Sequence, residues 1–194
     1  MRAMIIDTET SGLFDFSRPA DAEGQPRLAQ LAMIPTDDRP GWTAYVRPEG
    51  WRMDPKAAAV NGLTDKFLAE HGLPIGEVLD RYVAAISDGY VIAAYNAQFD
   101  TKILRAELRR AGRADLFEQT PNICLMRAMK PVVGIRGRRN PKLSEALEFI
   151  GATNASAHDA PGDAAAALEV FRFLEHIGEL PEPKVHYAKK RPVA

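Results

Sequence analysis

Short apolar runs separated by prolines, glycines and charges occupy the first part of the chain. They predict a first strand that contains the apolar run Met4-Ile5-Ile6 and is broken at Gly12, a second over residues 28–34 and a third over residues 42–46. Pro35 and the Pro48-Glu49-Gly50 segment mark two of the turns. Three strands in succession, each closed by turn residues, predict hairpins or an antiparallel meander.

Apolar residues at helical spacing dominate the remainder of the chain. A buried strand is predicted over residues 90–95, and residues 122–126 are predicted to be a short strand or the start of a helix. Strands followed by alternating helices and strands predict a single α/β domain with a mixed sheet flanked by helices. The predicted helices cover residues 53–60, 64–70, 75–87, 100–111, 143–150 and about 160–177.

Asp7 and Glu9 follow the first apolar run directly. Side chains two residues apart in a strand point to the same face, so the pattern places two carboxylates side by side. Such a pair is unfavourable unless a cation offsets it, and Mg²⁺ or Mn²⁺ is the cation that prefers oxygen ligands. A solvated strand end remains the alternative for this stretch alone.

Three further polar residues stand at the edges of predicted core elements. Asp100 lies where the strand over residues 90–95 gives way to a helix, and Asp163 lies in the first turn of the last helix. His158 precedes Asp163 in the same loop. Each acid alone is equally typical of a helix N-terminus. Together, the four acids and the histidine are typical of a phosphodiester hydrolase in which two metal ions clamp the scissile phosphate.

Composition limits the remaining classes. The chain has 194 residues, 46% of them hydrophobic and 26% charged, with a formal net charge of −1. Nucleic-acid binding would therefore need a local basic patch or bound metal. The single cysteine, Cys124, lies in an apolar run and is predicted to be a buried core residue. No apolar run reaches the ~20 residues of a membrane-spanning helix, and no signal peptide is evident, so we expect a cytoplasmic protein without membrane contact.

Three motifs carry a resemblance to a known family. They are residues 7–13 (Asp-Thr-Glu-Thr-Ser-Gly-Leu), residues 96–100 (Asn-Ala-Gln-Phe-Asp) and the pattern His158-x-Ala160-x-x-Asp163-Ala164. In this order they resemble the motifs of the DEDDh 3′→5′ exonucleases. This superfamily includes the proofreading subunit of DNA polymerase III, exodeoxyribonuclease X, ribonuclease T and oligoribonuclease. The resemblance implies a ribonuclease H-like exonuclease domain over residues 1–177, followed by a basic, proline-containing tail over residues 178–194.

The resemblance implies a role for each of the five polar residues. Asp7, Glu9, Asp100 and Asp163 would bind two Mg²⁺ or Mn²⁺ ions, with Asp7 bridging them. His158 would be the general base, which places the chain in the histidine subtype rather than the tyrosine subtype.

Further residues would contact the substrate if the resemblance holds. The backbone of residues 10–12 would meet the 3′-terminal nucleotide, Leu13 would wedge against the terminal bases and Phe99 would pack beside them. Core packing is the alternative for Leu13 and Phe99. Two positions depart from the family pattern, since Tyr95 and Asn61 each stand where a histidine is frequent. The implied substrate-binding residues are Thr10, Ser11, Gly12, Leu13, Asn61, Asn96, Phe99, Arg136, Arg138 and Arg139.

Arg136, Arg138 and Arg139 belong to a basic loop over residues 134–142, which also contains Lys142. We expect this loop to contact phosphates upstream of the cleaved end, in a salt-dependent manner. Ordinary solvated charges are the alternative. The basic residues of the tail could contact phosphates in the same way, but a disordered tail is favoured. These residues are Lys184, Lys189, Lys190 and Arg191.

The expected activity is metal-dependent release of nucleoside 5′-monophosphates from single-stranded or frayed 3′ ends of DNA. Three alternatives stay open: the same chemistry on RNA, a nucleic-acid-binding module without catalysis, and a subunit held in a polymerase. The five intact catalytic positions argue against a binding module without catalysis. No clear second domain is predicted that would support a polymerase subunit, so a stand-alone monomer or homodimer is expected. DNA repair or proofreading is the expected biological setting.

Overall fold

A five-stranded mixed sheet lies at the centre of the computed structural model, which describes residues 1–116 and 120–185. The strands are β1 (Ala3–Thr10), β2 (Leu28–Pro35), β3 (Trp42–Tyr45), β4 (Val91–Ala94) and β5 (Asn122–Cys124). The helices are α1 (Pro55–Asn61), α2 (Asp65–His71), α3 (Ile75–Ser87), α4 (Ala97–Arg110), α5 (Leu125–Val132), α6 (Leu143–Ile150) and α7 (Ala160–His176).

The central strand is β1, because the order across the sheet is β3-β2-β1-β4-β5. It pairs antiparallel with β2 and parallel with β4. Its two faces enter different apolar layers: Ile6 packs with residues of α3 and α4, and Ile5 packs with residues of α5, α6 and α7. The predicted α/β class, with a mixed sheet flanked by helices, is therefore confirmed.

Several predicted boundaries differ from the structure by one to three residues. β1 extends to Thr10 because β2 pairs with it over that length, so Asp7 and Glu9 lie in the strand near its end, as predicted. α4 begins at Ala97, which puts Asp100 in its first turn. Residues 122–126 contain both predicted alternatives, since β5 ends at Cys124 and α5 begins at once.

The segment after α7 returns to the sheet. The backbones of Lys184 and Asn122 exchange two hydrogen bonds, of 2.9 and 3.0 Å, beside β5. The other basic residues of the predicted tail, residues 189–191, lie outside the described part of the chain. Cys124 is buried, as its apolar surroundings predicted. Over residues 1–116 and 120–185, no helix combines the length and the apolar character needed to cross a bilayer.

Candidate active site

Parallel pairing brings the first two acidic motifs to one edge of the sheet. β1 and β4 run in the same direction, so their carboxyl ends lie next to each other. Asp7 and Glu9 lie in the second half of β1, where they pair with Ala32 and Gln30 of β2. They share the face of β1 on which Ile5 packs against the α7 layer. The two carboxylates therefore face the helix that carries the third acidic residue.

That third residue is Asp163, in the first turn of α7. Asp7, Glu9 and Asp163 each offer a carboxylate oxygen, and these three oxygens lie within 4.8 Å of one another. All three residues are half-buried. The cluster joins residues more than 150 positions apart because α7 packs directly on β1 and β2. Carboxylate oxygens within 4.8 Å of one another can serve together as ligands of one divalent cation.

Asp100 lies beside this three-oxygen group without being one of its members. It is buried in the first turn of α4, and the hydroxyl of Thr8 donates a 2.8 Å hydrogen bond to its carboxylate. Thr8 stands between Asp7 and Glu9 in sequence, with its side chain on the other face. After burial, the charge of Asp100 is the first cause that raises the pKa of Asp7. The fourth acid thus adds negative charge next to the cluster.

Burial and mutual repulsion raise the carboxyl pKa values throughout the cluster. Burial, followed by the charges of Asp100, Asp163 and Glu9, holds the pKa of Asp7 well above its usual range. Burial raises the pKa of Asp100 to about 7, although the Thr8 hydrogen bond opposes the shift. Burial also raises the pKa of Glu9 and of Asp163. Ionising these groups together is therefore costly without a compensating cation.

The donor set fits a divalent metal ion. Within the described residues, none of these four carboxylates forms a salt bridge with a lysine or arginine, so no lysine or arginine neutralises them. Carboxylate oxygens are the ligands preferred by Mg²⁺ and Mn²⁺, whereas the cysteine and histidine donors typical of structural zinc are not grouped there. The acidic cluster could hold one or more such ions.

Thermal stability without metal should fall as the pH rises through the titration of this cluster. The folded protein binds more protons than the unfolded chain between the ordinary pKa of Asp100, 3.8, and its folded value of about 7. The free energy of unfolding therefore decreases across that window. We expect the midpoint of thermal unfolding in EDTA to drop by several degrees between pH 5 and pH 7.5, and saturating Mg²⁺ to restore it.

Asp100→Asn is the matched control for this measurement, because it cannot ionise and should show a flatter pH profile. Differential scanning calorimetry on both proteins, with and without Mg²⁺, isolates the contribution of the cluster from the rest of the chain. A wild-type midpoint in EDTA that climbs over the same window would contradict the predicted burial of ionisable acids.

His158 lies in the loop that precedes α7, and a hydrogen bond to Asp163 of α7 holds this loop next to the acidic cluster. Its backbone N–H donates a 3.2 Å hydrogen bond to the carboxylate of Asp163, and its side chain is exposed. Its φ of 64° is left-handed, a conformation that histidine adopts more readily than most residues but still rarely. The structure therefore holds the predicted base next to one of the predicted metal ligands.

Other residues that pattern analysis missed hold this loop in place. The buried side chain of Gln30 donates to the carboxylate of Asp159 at 2.9 Å and accepts the N–H of Ala160 at 3.2 Å. Asn154 donates to Asp163 from the same loop. At Gly162, a Cβ would lie 2.3 Å from the carbonyl oxygen of Ser156, so only glycine fits this close approach. The only sign of this role in the sequence is that Gln30 is a polar residue within the apolar run that predicts the second strand.

A pocket of about 450 Å³ opens beside Glu9 and is lined by half of the implied substrate-binding residues. Leu13 is 88% exposed, which excludes core packing for it. Phe99 is half-buried and packs edge-on against Phe14, with ring centroids 5.7 Å apart. The pocket is lined by Thr8, Glu9, Thr10, Gly12, Leu13, Asp54, Lys56, Ala57, Val60, Asn61 and Phe99.

The two departures from the family pattern have distinct structural roles. Asn61 closes the pocket by donating 3.3 Å hydrogen bonds to the carboxylate of Glu9 and to the carbonyl of Thr10. Tyr95 is buried behind the site, and its hydroxyl lies 2.9 and 2.7 Å from the carbonyl oxygens of Pro141 and Lys142. Tyr95 therefore supports the base of the basic loop.

Half of the implied substrate-binding residues do not line this pocket: Ser11, Asn96, Arg136, Arg138 and Arg139. Ser11 is buried, and its hydroxyl oxygen accepts the N–H of Arg27 at 2.8 Å, which stabilises the turn after β1. Thr10 does line the pocket, but its hydroxyl is occupied by the carbonyl of Gly12. Asn96 is exposed at the N-terminus of α4 and makes no side-chain capping bond.

The basic loop borders a second groove, of about 790 Å³, which reaches Asp163. Lys142 and His158 line this groove, whereas Arg136 and Arg138 are exposed between α5 and α6. Arg139 is held by Glu145 at 2.6 Å, although no acid interrupts the loop in sequence. Arg139 is thus the one arginine of the loop that already pairs with a carboxylate within the described residues, and its side chain stays exposed.

A match to a protein family decides the class of this chain. The family model described as "Exonuclease" matches residues 4–171. The chain belongs to the exonuclease family. The DNA polymerase III subunit epsilon of Treponema pallidum is 30% identical over 177 residues, covering 86% of this chain and 73% of that protein. The predicted family resemblance is confirmed.

Solved structures establish the fold of this exonuclease. Escherichia coli exonuclease I in complex with a dT13 oligonucleotide matches with a TM-score of 0.75 and 20% identity, over 90% of this chain. This chain spans 41% of that protein, less than half its length. The nuclease domain of 3′hExo, a DEDDh family member bound to rAMP, matches with a TM-score of 0.74 and 15% identity, over 94% of this chain and 96% of that domain. The ribonuclease H-like fold is thereby confirmed.

Proposed function

We propose that this exonuclease is a divalent-metal-dependent 3′→5′ enzyme that releases nucleoside 5′-monophosphates from single-stranded or frayed 3′ ends of DNA. The observation that carries the proposal is the meeting of the Asp7, Glu9 and Asp163 oxygens within 4.8 Å. A pocket beside Glu9 and a histidine anchored to Asp163 complete the arrangement. Acidic ligands, a proton acceptor and a nucleotide-sized space are the parts that phosphodiester hydrolysis requires.

Asp7, Glu9, Asp163 and Asp100 would hold two Mg²⁺ or Mn²⁺ ions in this proposal. Such ions would polarise the scissile phosphate, lower the pKa of water and stabilise the leaving oxygen. His158 accepts the proton of the attacking water at an unprotonated ring nitrogen. Direct attack by water means that no side chain forms a covalent intermediate.

The pocket beside Glu9 receives the 3′-terminal nucleotide. Its volume of about 450 Å³ lies within the usual range for small-molecule sites. Leu13, at the rim, separates the terminal base from the next one, and Phe99 packs beside the terminal nucleotide. Asn61 orients Glu9 through its 3.3 Å hydrogen bond while offering a neutral donor to the substrate.

DNA is the preferred substrate in this proposal. The relative in Treponema pallidum is a DNA polymerase III subunit, and exonuclease I is seen with a DNA oligonucleotide. The 3′hExo domain binds rAMP, which makes RNA the second candidate. Discrimination between the sugars would depend on a contact to the 2′-hydroxyl.

The direct test follows the decay of single-stranded DNA and RNA oligonucleotides of matched sequence. Each is labelled at the 5′ or the 3′ end and incubated with Mg²⁺, Mn²⁺ or EDTA. We expect a ladder of shortened 5′-labelled products, immediate release of the 3′ label as a mononucleotide, and no reaction in EDTA. DNA should be degraded faster than RNA.

Asp7→Ala serves as the inactive control and guards against a contaminating nuclease. Immediate release of the 5′ label would show that degradation starts from the 5′ end and would contradict the proposed polarity. Faster decay of RNA would identify RNA as the preferred substrate. Binding of both oligonucleotides without any cleavage would identify a nucleic-acid-binding module instead.

A further inference from the structure

An exposed aromatic ring stands next to the pocket and has no role in the chemistry above. Phe16 is 71% exposed, and it lies three residues beyond Leu13 in the connection after β1. Leu13, Phe16 and Val60 are the three most exposed large hydrophobic residues within residues 1–116 and 120–185. Two of them line the pocket beside Glu9. Apolar surface exposed to water in this way is a common mark of a binding surface.

Hydrogen bonds hold the Phe16 segment in its outward position. The side chain of Gln25, only 5% exposed, accepts the N–H of Asp15 at 3.0 Å and donates to the carbonyls of Asp15 and Pro19 at 2.7 and 3.0 Å. The carboxylate of Asp15 accepts from the backbone and the hydroxyl of Ser17. The backbone on both sides of Phe16 is therefore tied down. A ring presented by an ordered segment can bind with little loss of conformational entropy.

A cation and a second ring connect Phe16 to the active site. The ammonium group of Lys102, on α4, lies 4.2 Å from the ring centroid of Phe16 and 4.4 Å from that of Phe14. Phe14 in turn packs edge-on against Phe99, which lines the pocket. A series of ring contacts, with the buried Phe14 in the middle and one positive charge beside it, thus leads from the pocket to Phe16. We call Phe14, Phe16 and Lys102 the Phe16 platform.

We propose that the Phe16 platform binds an upstream nucleotide of a single-stranded substrate, with a base stacked on Phe16 and a phosphate paired with Lys102. The proposal rests on the exonuclease function stated above. Since the pocket receives the 3′-terminal nucleotide, any other bound nucleotide lies upstream of it. An aromatic face accepts any base, and a nearby cation matches the phosphate backbone. Bases inside a duplex have both faces covered, so the platform favours unpaired 3′ ends.

Binding of fluorescent oligothymidylates of two to about ten nucleotides, measured by anisotropy in EDTA, tests the platform without cleavage. We expect Phe16→Ala to weaken binding of the longer oligonucleotides about tenfold, and Phe16→Trp to retain it. Phe149→Ala is the matched control, because Phe149 is 50% exposed on α6 and lines neither the pocket nor the groove described above. It should bind like the wild type.

Lys102→Met tests the charge separately. Loss of one phosphate contact should reduce the slope of log affinity against log salt concentration by about 0.7, and Lys102→Arg should preserve the slope. The p-nitrophenyl ester of thymidine 5′-monophosphate occupies only the terminal pocket. Its hydrolysis in Mn²⁺ should therefore be unchanged in Phe16→Ala and Lys102→Met.

The two assays separate the platform from the catalytic proposal. Unchanged binding of long oligonucleotides by Phe16→Ala, with ester hydrolysis intact, would overturn the platform and leave the exonuclease function standing. Absence of hydrolysis in the wild type would overturn the catalytic proposal, while the anisotropy comparison would still judge the platform. Weakened binding by Phe149→Ala to the same extent would show a non-specific loss and would also overturn the platform.

Discussion

Replacing Asp7 with asparagine should lower exonuclease activity by about 10³-fold or more while making the metal-free protein more stable. Asp7 is the residue whose carboxylate lies among those of Glu9, Asp163 and Asp100. Removing its charge removes a ligand of the proposed metal ions, and the stabilisation of transition-state charge that they provide is worth several kcal/mol. We expect kcat to account for most of the loss.

The gain in stability has the same origin as the raised pKa values. An ionised Asp7 is disfavoured by burial and by four neighbouring acids, which are Asp100, Asp163, Glu9 and Asp159. Asparagine keeps nearly the same shape without the charge. The midpoint of thermal unfolding in EDTA should therefore rise by about 2–6 °C.

Asp38→Asn is the matched control, because Asp38 is an exposed acid in the turn between β2 and β3. It should change neither activity nor the midpoint. Mn²⁺ titration calorimetry completes the test, since Asp7→Asn should lose affinity for the ion. A variant that loses activity and also unfolds at a lower temperature would indicate that Asp7 supports the fold and does not serve as a metal ligand.

Replacing His158 with asparagine should reduce kcat by about 10²–10⁴-fold with little effect on binding. Asparagine tolerates the left-handed conformation found at His158, where φ is 64°, but it cannot accept a proton at neutral pH. The exposed side chain contributes little to packing, so the thermal midpoint should stay the same. The backbone hydrogen bond to Asp163 is available to either residue.

His158→Gly provides a second measure of the proton transfer. Glycine also fits the backbone, and free imidazole added to this variant should restore part of the activity. Affinities for Mn²⁺ and for an oligonucleotide, measured in parallel, should remain close to those of the wild type. Weaker binding with an unchanged kcat would assign His158 to substrate or metal binding and remove it as the base.

The sequence determined the element types and the chemistry of the site, because both depend on short-range patterns. The bounds of α3 and α6 follow from apolar spacing and a closing polar or glycine residue, and the structure places them at the predicted residues. The three motifs contained every acid of the cluster. The strand ends were harder to predict, since β4 spans only Val91–Ala94 of the strand predicted over residues 90–95.

Only the tertiary structure decided which side chains meet, because meeting depends on packing between distant segments. It grouped Asp7 and Glu9 with Asp163 and placed Asp100 beside them, where its carboxylate accepts a hydrogen bond from Thr8. It also revealed the amide of Gln30 as a clamp on the His158 loop. No local pattern specifies these relations, since each arises where a helix packs on a strand that is remote in sequence. The residues of the site are thus encoded locally, and their geometry is a property of the whole fold.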